Sequence, residues 1–142
     1  LRILGIDHGE ARIGLAISDE GERVARPLQI LAHSSRAADA EAIVRLATEH
    51  NVGKIVIGLP TDDEGDGRPI ARIGPQTRKV QRWAEALKAA TTIPIEFWDE
   101  SLSSAEARES RGQKKHKRRR PLDAEAAAFI LQSYLDAHRP AT

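Results

Sequence analysis

The sequence predicts an α/β fold: a mixed five-stranded sheet, three antiparallel strands followed by an αβαβ order, flanked by helices. Two observations lead to it. As far as Leu31, short apolar runs alternate with polar, glycine-bearing turns; from Ala37 onward, runs of helical period and runs of strand character take turns. The length of 142 residues adds a bound. It supports one hydrophobic core and no second domain, so residues 1–142 are expected to form a single domain.

Residues 2–7, RILGID, and 12–18, RIGLAIS, have strand-forming character and are separated by the turn HGEA. A third strand is expected from Val24 to Leu31, where Pro27 implies an edge or a bulge. From Ala37 to His50 the residues Ala40, Ile43, Val44, Leu46 and Ala47 recur at helical spacing, behind the capping candidates Ser34 and Ser35. Lys54 to Gly58, KIVIG, has the nearly continuous apolar character of a strand buried on both faces. Residues 60–70 are a loop by composition.

A helix over 76–90 carries Val80, Trp83, Ala84 and Leu87 on one side, and 93–98, IPIEFW, makes the fifth strand. Residues 101–111 read as a short helix with Ser101 and Ser103 as possible caps, and 112–120 as a basic linker. Pro121 suits a helix start, and 122–138 forms the last helix, with Leu122, Ala126, Phe129, Ile130, Ser133 and Tyr134 along one face. The order βββαβαβαα is the layout of the ribonuclease H superfold. That architecture also carries ATPases and kinases, so function must come from the site.

Composition narrows the chemistry. The chain has no cysteine, which removes disulfides, zinc–thiolate centres and thiol nucleophiles together and fits a reducing cytoplasm. No apolar stretch approaches the roughly 20 residues of a membrane-spanning helix. The chain opens on Leu1, and the first strand begins almost at once without a signal-peptide charge pattern, so a soluble, cytoplasmic protein is expected. The net charge of +1 conceals a dense cationic run of Lys114, Lys115, Lys117, Arg118, Arg119 and Arg120. Lying just before Asp123, this run is expected to contact phosphates; a solvated linker or a nuclear localisation signal are the alternatives. It holds no aromatic residue, so base stacking is not expected of it. Arg78 and Arg82 could extend the cationic surface, but read first as a solvent face.

The acids at element ends carry the functional reading. Asp7 ends the first strand, Asp99 and Glu100 end the fifth, and Asp123 opens the last helix. Taken singly, each has an ordinary explanation, Asp7 as a turn residue and Asp123 as a charge favourable to the helix dipole. Together they are the oxygen donors that Mg²⁺ or Mn²⁺ requires. In a two-metal site the ions activate water and stabilise the leaving oxygen of a phosphodiester. Asp99 and Glu100 compete for the middle role, because strand neighbours point to opposite faces.

Other patterns exclude themselves. DDEGDG over 62–67 resembles the start of a calcium loop, but Ile73 stands where the bidentate glutamate must be. Gly5, Gly9 and Gly14 lack the dinucleotide-binding spacing. They do resemble the first phosphate loop of actin-like ATPases, which bind nucleotide between two domains that this length cannot supply. His8, His33, His50, His116 and His138 show no metal spacing and are expected to form no site.

The segments LGIDHGEARIGLAISD (4–19), VIGLP (56–60), GPQTRKV (74–80), DESLSSAEA (99–107) and DAEAAAFILQSYLD (123–136) resemble, in order, the YqgF family. These are ribonuclease H-like proteins described as Holliday junction resolvases or nucleases of pre-16S ribosomal RNA. The resemblance implies a carboxylate triad at Asp7, Glu100 and Asp123, and favours Glu100 over Asp99 by analogy with related resolvases. The chain departs from the family at Ser101, where arginine is usual, and at Glu10 and Ala11, where Thr-Lys is usual. Ala126 stands where some related resolvases carry a fourth carboxylate.

The expected function is a metal-dependent phosphodiesterase acting on structured RNA, first the small-subunit ribosomal RNA precursor, with resolution of branched DNA junctions second. A catalytically degraded nucleic-acid-binding module is the alternative of another class, resting on Ser101, Glu10 and Ala11. The expected state is a monomer or a homodimer; junction cutting would require the dimer.

Overall fold

The structure, a computed structural model, describes residues 1–9, 11–60, 74–99 and 123–138, without the side chain of Asp123. Its strands are β1 (Arg2–His8), β2 (Arg12–Ser18), β3 (Ala25–Ala32), β4 (Val52–Leu59) and β5 (Ile95–Asp99). Its helices are α1 (Arg36–Glu49), α2 (Pro75–Ala90) and α3 (Asp123–Ala137). The expected helix over 101–111, the linker over 112–120 and residues 61–70 of the expected loop lie outside the described residues.

The five strands form one sheet in the order β3-β2-β1-β4-β5. β1 to β3 are the expected antiparallel meander, while β4 and β5 join in parallel through helical crossovers. β3 is the edge strand that Pro27 implied. Its register slips between the Leu15–Gln29 and Ala16–Pro27 pairs, leaving Leu28 as the extra residue of a bulge.

Ser35 caps α1, its hydroxyl accepting from the Ala38 N–H at 3.1 Å. The helix gives way to Asn51 at φ 57°, a left-handed position that asparagine tolerates. α1 and α2 cover one face of the sheet. There Ala40, Ile43 and Ala47 of α1, and Val80, Trp83, Ala84 and Leu87 of α2, pack on Leu4, Ile6, Ile13, Leu15, Ile55 and Ile57.

The opposite face belongs to α3, where Ile130 and Tyr134 are buried as expected but the rest of the expected stripe needs correcting. The buried stripe is Ala124, Ala127, Ile130, Leu131, Tyr134 and Leu135, whereas Phe129 is 40% exposed. The cause is proximity. A Cβ on Gly5 would stand 2.8 Å from Leu131 Cβ, and one on Gly58 would stand 2.7 Å from Ile130 Cδ1. Only bare glycines in β1 and β4 let the helix lie this close, and they seat Leu131 and Ile130 against the sheet.

Candidate active site

Strand alternation sorts the acids by face. In β1, Ile3 packs with Tyr134 and Leu135 of α3, and Gly5 lies against Leu131 and the Ala127 carbonyl. Asp7, the next residue of that parity, is half-buried on the same side. These contacts also fix the direction of α3. The start of β1 meets the end of the helix, and each step along β1 meets residues nearer the helix start. One step beyond Gly5 is Asp7, and one turn before Ala127 is Asp123. The end of β1 and the first turn of α3 therefore lie at one edge of the sheet, on one face.

β5 separates its two candidates differently. The Trp98 Nε1–H donates to Ser133 Oγ at 3.1 Å, and the Tyr134 hydroxyl donates to Glu96 Oε1 at 2.9 Å, so Glu96 and Trp98 face α3. Asp99 pairs with Leu59 and shares the side of Ile95 and Phe97, away from α3. Glu100 lies outside the described residues, as do Glu10, Ser101 and the run from Lys114 to Arg120; Ala11 is exposed. Among the described residues no three His, Asp or Glu side chains gather as a metal site. That set contains only one of the three expected ligand side chains, Asp7. Its chemistry suits a hard divalent ion: a carboxylate at the end of a central strand, beside a helix start that itself bears aspartate.

Sequence reasoning missed a second polar centre, on the other face at the same end of β1. Asp39 is 3% exposed within α1. Its Oδ2 accepts from the Trp83 Nε1–H at 3.0 Å and from the His33 ring, and its Oδ1 accepts from the Ser34 N–H at 3.0 Å. Burial pushes its carboxyl upward, but the bonds from Trp83, Ser34 and His33, with the charge of His33, outweigh it and hold it below the usual carboxylate range. His8 lies against Trp83, with ring centroids 4.6 Å apart, and edge-on to His33 at 5.6 Å. Burial above all, with His33 and Lys79 adding to it against the pull of Asp39, lowers the His8 imidazole. His8, His33, Arg36, Lys79, Arg82 and Trp83 line a cavity of about 460 Å³. The histidines expected to form no site are thus partly gathered, and Arg82 borders a cavity rather than a plain solvent face. No sequence period links His8, His33 and Asp39, so only their types gave a signal.

A family model described as "RuvX: Holliday junction resolvase" matches residues 1–137. The chain belongs to the RuvX family. Relatives agree over their whole length. A protein of Anaeromyxobacter sp. (strain Fw109-5) is 44% identical over 140 residues, covering 96% of this chain and 97% of its own. One of Thermoanaerobacter pseudethanolicus is 40% identical over 143 residues, covering 98% and 99%. Both carry the name "Putative pre-16S rRNA nuclease". This RuvX-family chain is therefore a nuclease, a hydrolase of phosphodiester bonds.

Solved structures bear out the ribonuclease H-like fold. The T. thermophilus RuvC structure in complex with a Holliday junction substrate superposes with a TM-score of 0.60 at 17% identity, over 96% of this chain and 94% of that one. The fowlpox virus Holliday junction resolvase gives a TM-score of 0.51 at 15% identity, over 96% and 99%. Nucleases of this family and fold generally depend on divalent metal. No described helix is long and apolar enough to cross a membrane.

Proposed function

We propose that the chain cleaves the precursor of 16S ribosomal RNA, using Asp7, Glu100 and Asp123 to hold Mg²⁺ or Mn²⁺. The observation that carries this reading is the antiparallel seating of α3 on β1, which supports a site shared by Asp7 and Asp123. The alternation of β5 supports Glu100 as the third ligand. Asp99 belongs to the side of Phe97, away from α3, which favours its sequence neighbour as the ligand.

When bound, the metal supplies Lewis acidity toward the attacking water and the leaving 3′ oxygen. The chain's own part is to fix donors and hold the substrate. Asp7 sits at the end of a strand paired to β2 and β4, so its Cα has little freedom. Asp123 is the first residue of α3, and helix starts favour negative charge in general. The run Lys114, Lys115, Lys117, Arg118, Arg119 and Arg120 precedes Asp123 and neutralises phosphates of the bound strand. Ribosomal RNA maturation supports a cytoplasmic setting, as the lack of cysteine does.

The second reading, resolution of four-way DNA junctions, draws support from the family description. It requires two sites related by a two-fold axis, hence a homodimer. Incubating the protein and Mg²⁺ or Mn²⁺ with a 16S precursor transcript and, separately, a four-way DNA junction tests the choice. Cleavage of the transcript by a monomer is expected. Paired, symmetric nicks in the junction from a dimer, with the transcript intact, would replace the first reading by the second.

A further inference from the structure

The cavity on the far side of β1 has a composition the proposed metal site does not use. Arg36 opens α1, and Lys79 and Arg82 stand one turn apart on α2. All three are exposed. Trp83 and His8 form the floor, and His33 is held at its Nδ1 by Asp39. Among the described residues, the one acid in this cluster is Asp39. It is buried and already receives Ser34, His33 and Trp83, so it offers nothing to a ligand in the cavity. Arg36 and Arg82 form no ion pair among the described residues. The rim is thus cationic, with planar guanidinium donors from two helices converging on one space, the geometry suited to a phosphate oxygen.

Its position gives the pocket a use. Asp7 and His8 are neighbours on β1 and face opposite sides, so the pocket begins one residue, about 3.8 Å of backbone, from the proposed metal ligand. A strand crossing this edge of the sheet would present one phosphate on the α3 side and another on the α1–α2 side.

We infer that the pocket of His33, Arg36, Lys79 and Arg82 binds a backbone phosphate flanking the scissile one, in any nucleotide sequence. This rests on the reading of Asp7 as a metal ligand for its place in the reaction, but its binding is measurable without the reaction.

The test measures affinity for a fluorescent RNA hairpin with single-stranded tails. A chelator is present to prevent cutting, and salt is varied. The full chain is compared with the Arg36→Gln/Arg82→Gln variant and with a charge-matched control, Arg45→Gln/Lys88→Gln, on exposed positions outside the pocket. The pocket variant is expected to bind all RNA sequences more weakly. Its slope of log affinity against log salt should be shallower by about 0.7 on single strands or about 0.9 on a duplex, the loss of one phosphate contact. The control should keep most of its slope.

Equal changes in both variants would reduce the effect to bulk charge and overturn the inference. Unchanged RNA affinity, with inorganic phosphate stabilising the wild type and not the pocket variant, would assign the cavity to a free anion and overturn it too. Failure of the metal-site reading shows elsewhere, as cleavage that survives Asp7→Asn.

Discussion

Gly5 and Leu131 approach so closely that a Cβ on Gly5 would stand 2.8 Å from the Leu131 Cβ. The same contact seats α3 on β1 and sets how far the helix start stands from Asp7. Gly5→Ala must therefore push the helix outward or strain the strand. A loss of about 1–3 kcal/mol is expected in urea unfolding. Cleavage should fall further than stability explains when measured well below the melting temperature, because the first turn of α3 moves with the helix. Unimpaired activity in a destabilised protein would uncouple α3 seating from the site.

Asp39 is a structural acid, and its substitution tests that role. Its folded pKa lies below its ordinary value of 3.8, so its contribution to stability is present above that value and is lost as the pH falls through the folded pKa. Asp39→Asn places an amide N–H₂ among three donors. It should cost about 1–3 kcal/mol at neutral pH and flatten the acid limb of stability below about pH 3.8. Thermal melts from pH 7 to pH 3 check both. An unaltered acid limb would show that another carboxylate governs it.

Tyr134 ties the far end of α3 to the sheet. Its hydroxyl accepts from the Lys54 ammonium at 2.6 Å and donates to Glu96 at 2.9 Å, while Lys54 and Glu96 pair at 2.8 Å. Lys54 and Glu96 are each more than a third exposed, so solvent screening leaves their pairing a small effect. Tyr134→Phe is expected to cost about 1 kcal/mol in urea unfolding and to leave cleavage unchanged, since it lies at the end of α3 opposite Asp123. A large loss of cleavage would place this end of the helix in the reaction.

Asp99 and Glu100 are neighbours in sequence, and Asp99 shares the side of Ile95 and Phe97, away from α3. Glu100→Gln should abolish cleavage, whereas Asp99→Asn should keep most of it, in a gel assay with Mg²⁺ or Mn²⁺ on the same transcript. The reverse pattern would assign the third ligand to Asp99 and require β5 to change parity before its end.

Much of the fold was legible because strong periods met unambiguous punctuation. Val80, Trp83, Ala84 and Leu87 mark one face of α2 in the sequence and are its buried residues. Pro27 announced the edge and its bulge. α3 was misread for a physical reason: it is apolar on most sides, so period alone cannot choose its inner stripe. The choice falls to Gly5 and Gly58, two strand residues far away in sequence: Ile130 and Tyr134 are buried as expected, and Ala127 and Leu131 join them in place of Phe129. Asp7 and Asp99 were legible near strand ends and Asp123 as a helix start. The His8, His33 and Asp39 cluster was not, because a strand end, a loop and a helix that share no period bring it together.

Asp7 is expected to hold the metal on which cleavage depends. The direct measurement compares wild type and Asp7→Asn for cleavage of a 16S precursor transcript with Mg²⁺ or Mn²⁺, and for binding of the same RNA with a chelator present. Cleavage is expected to fall by ~10³-fold or more, about 4 kcal/mol of barrier, with RNA affinity and melting temperature retained. Metal-dependent cleavage at the wild-type rate in Asp7→Asn would contradict the account.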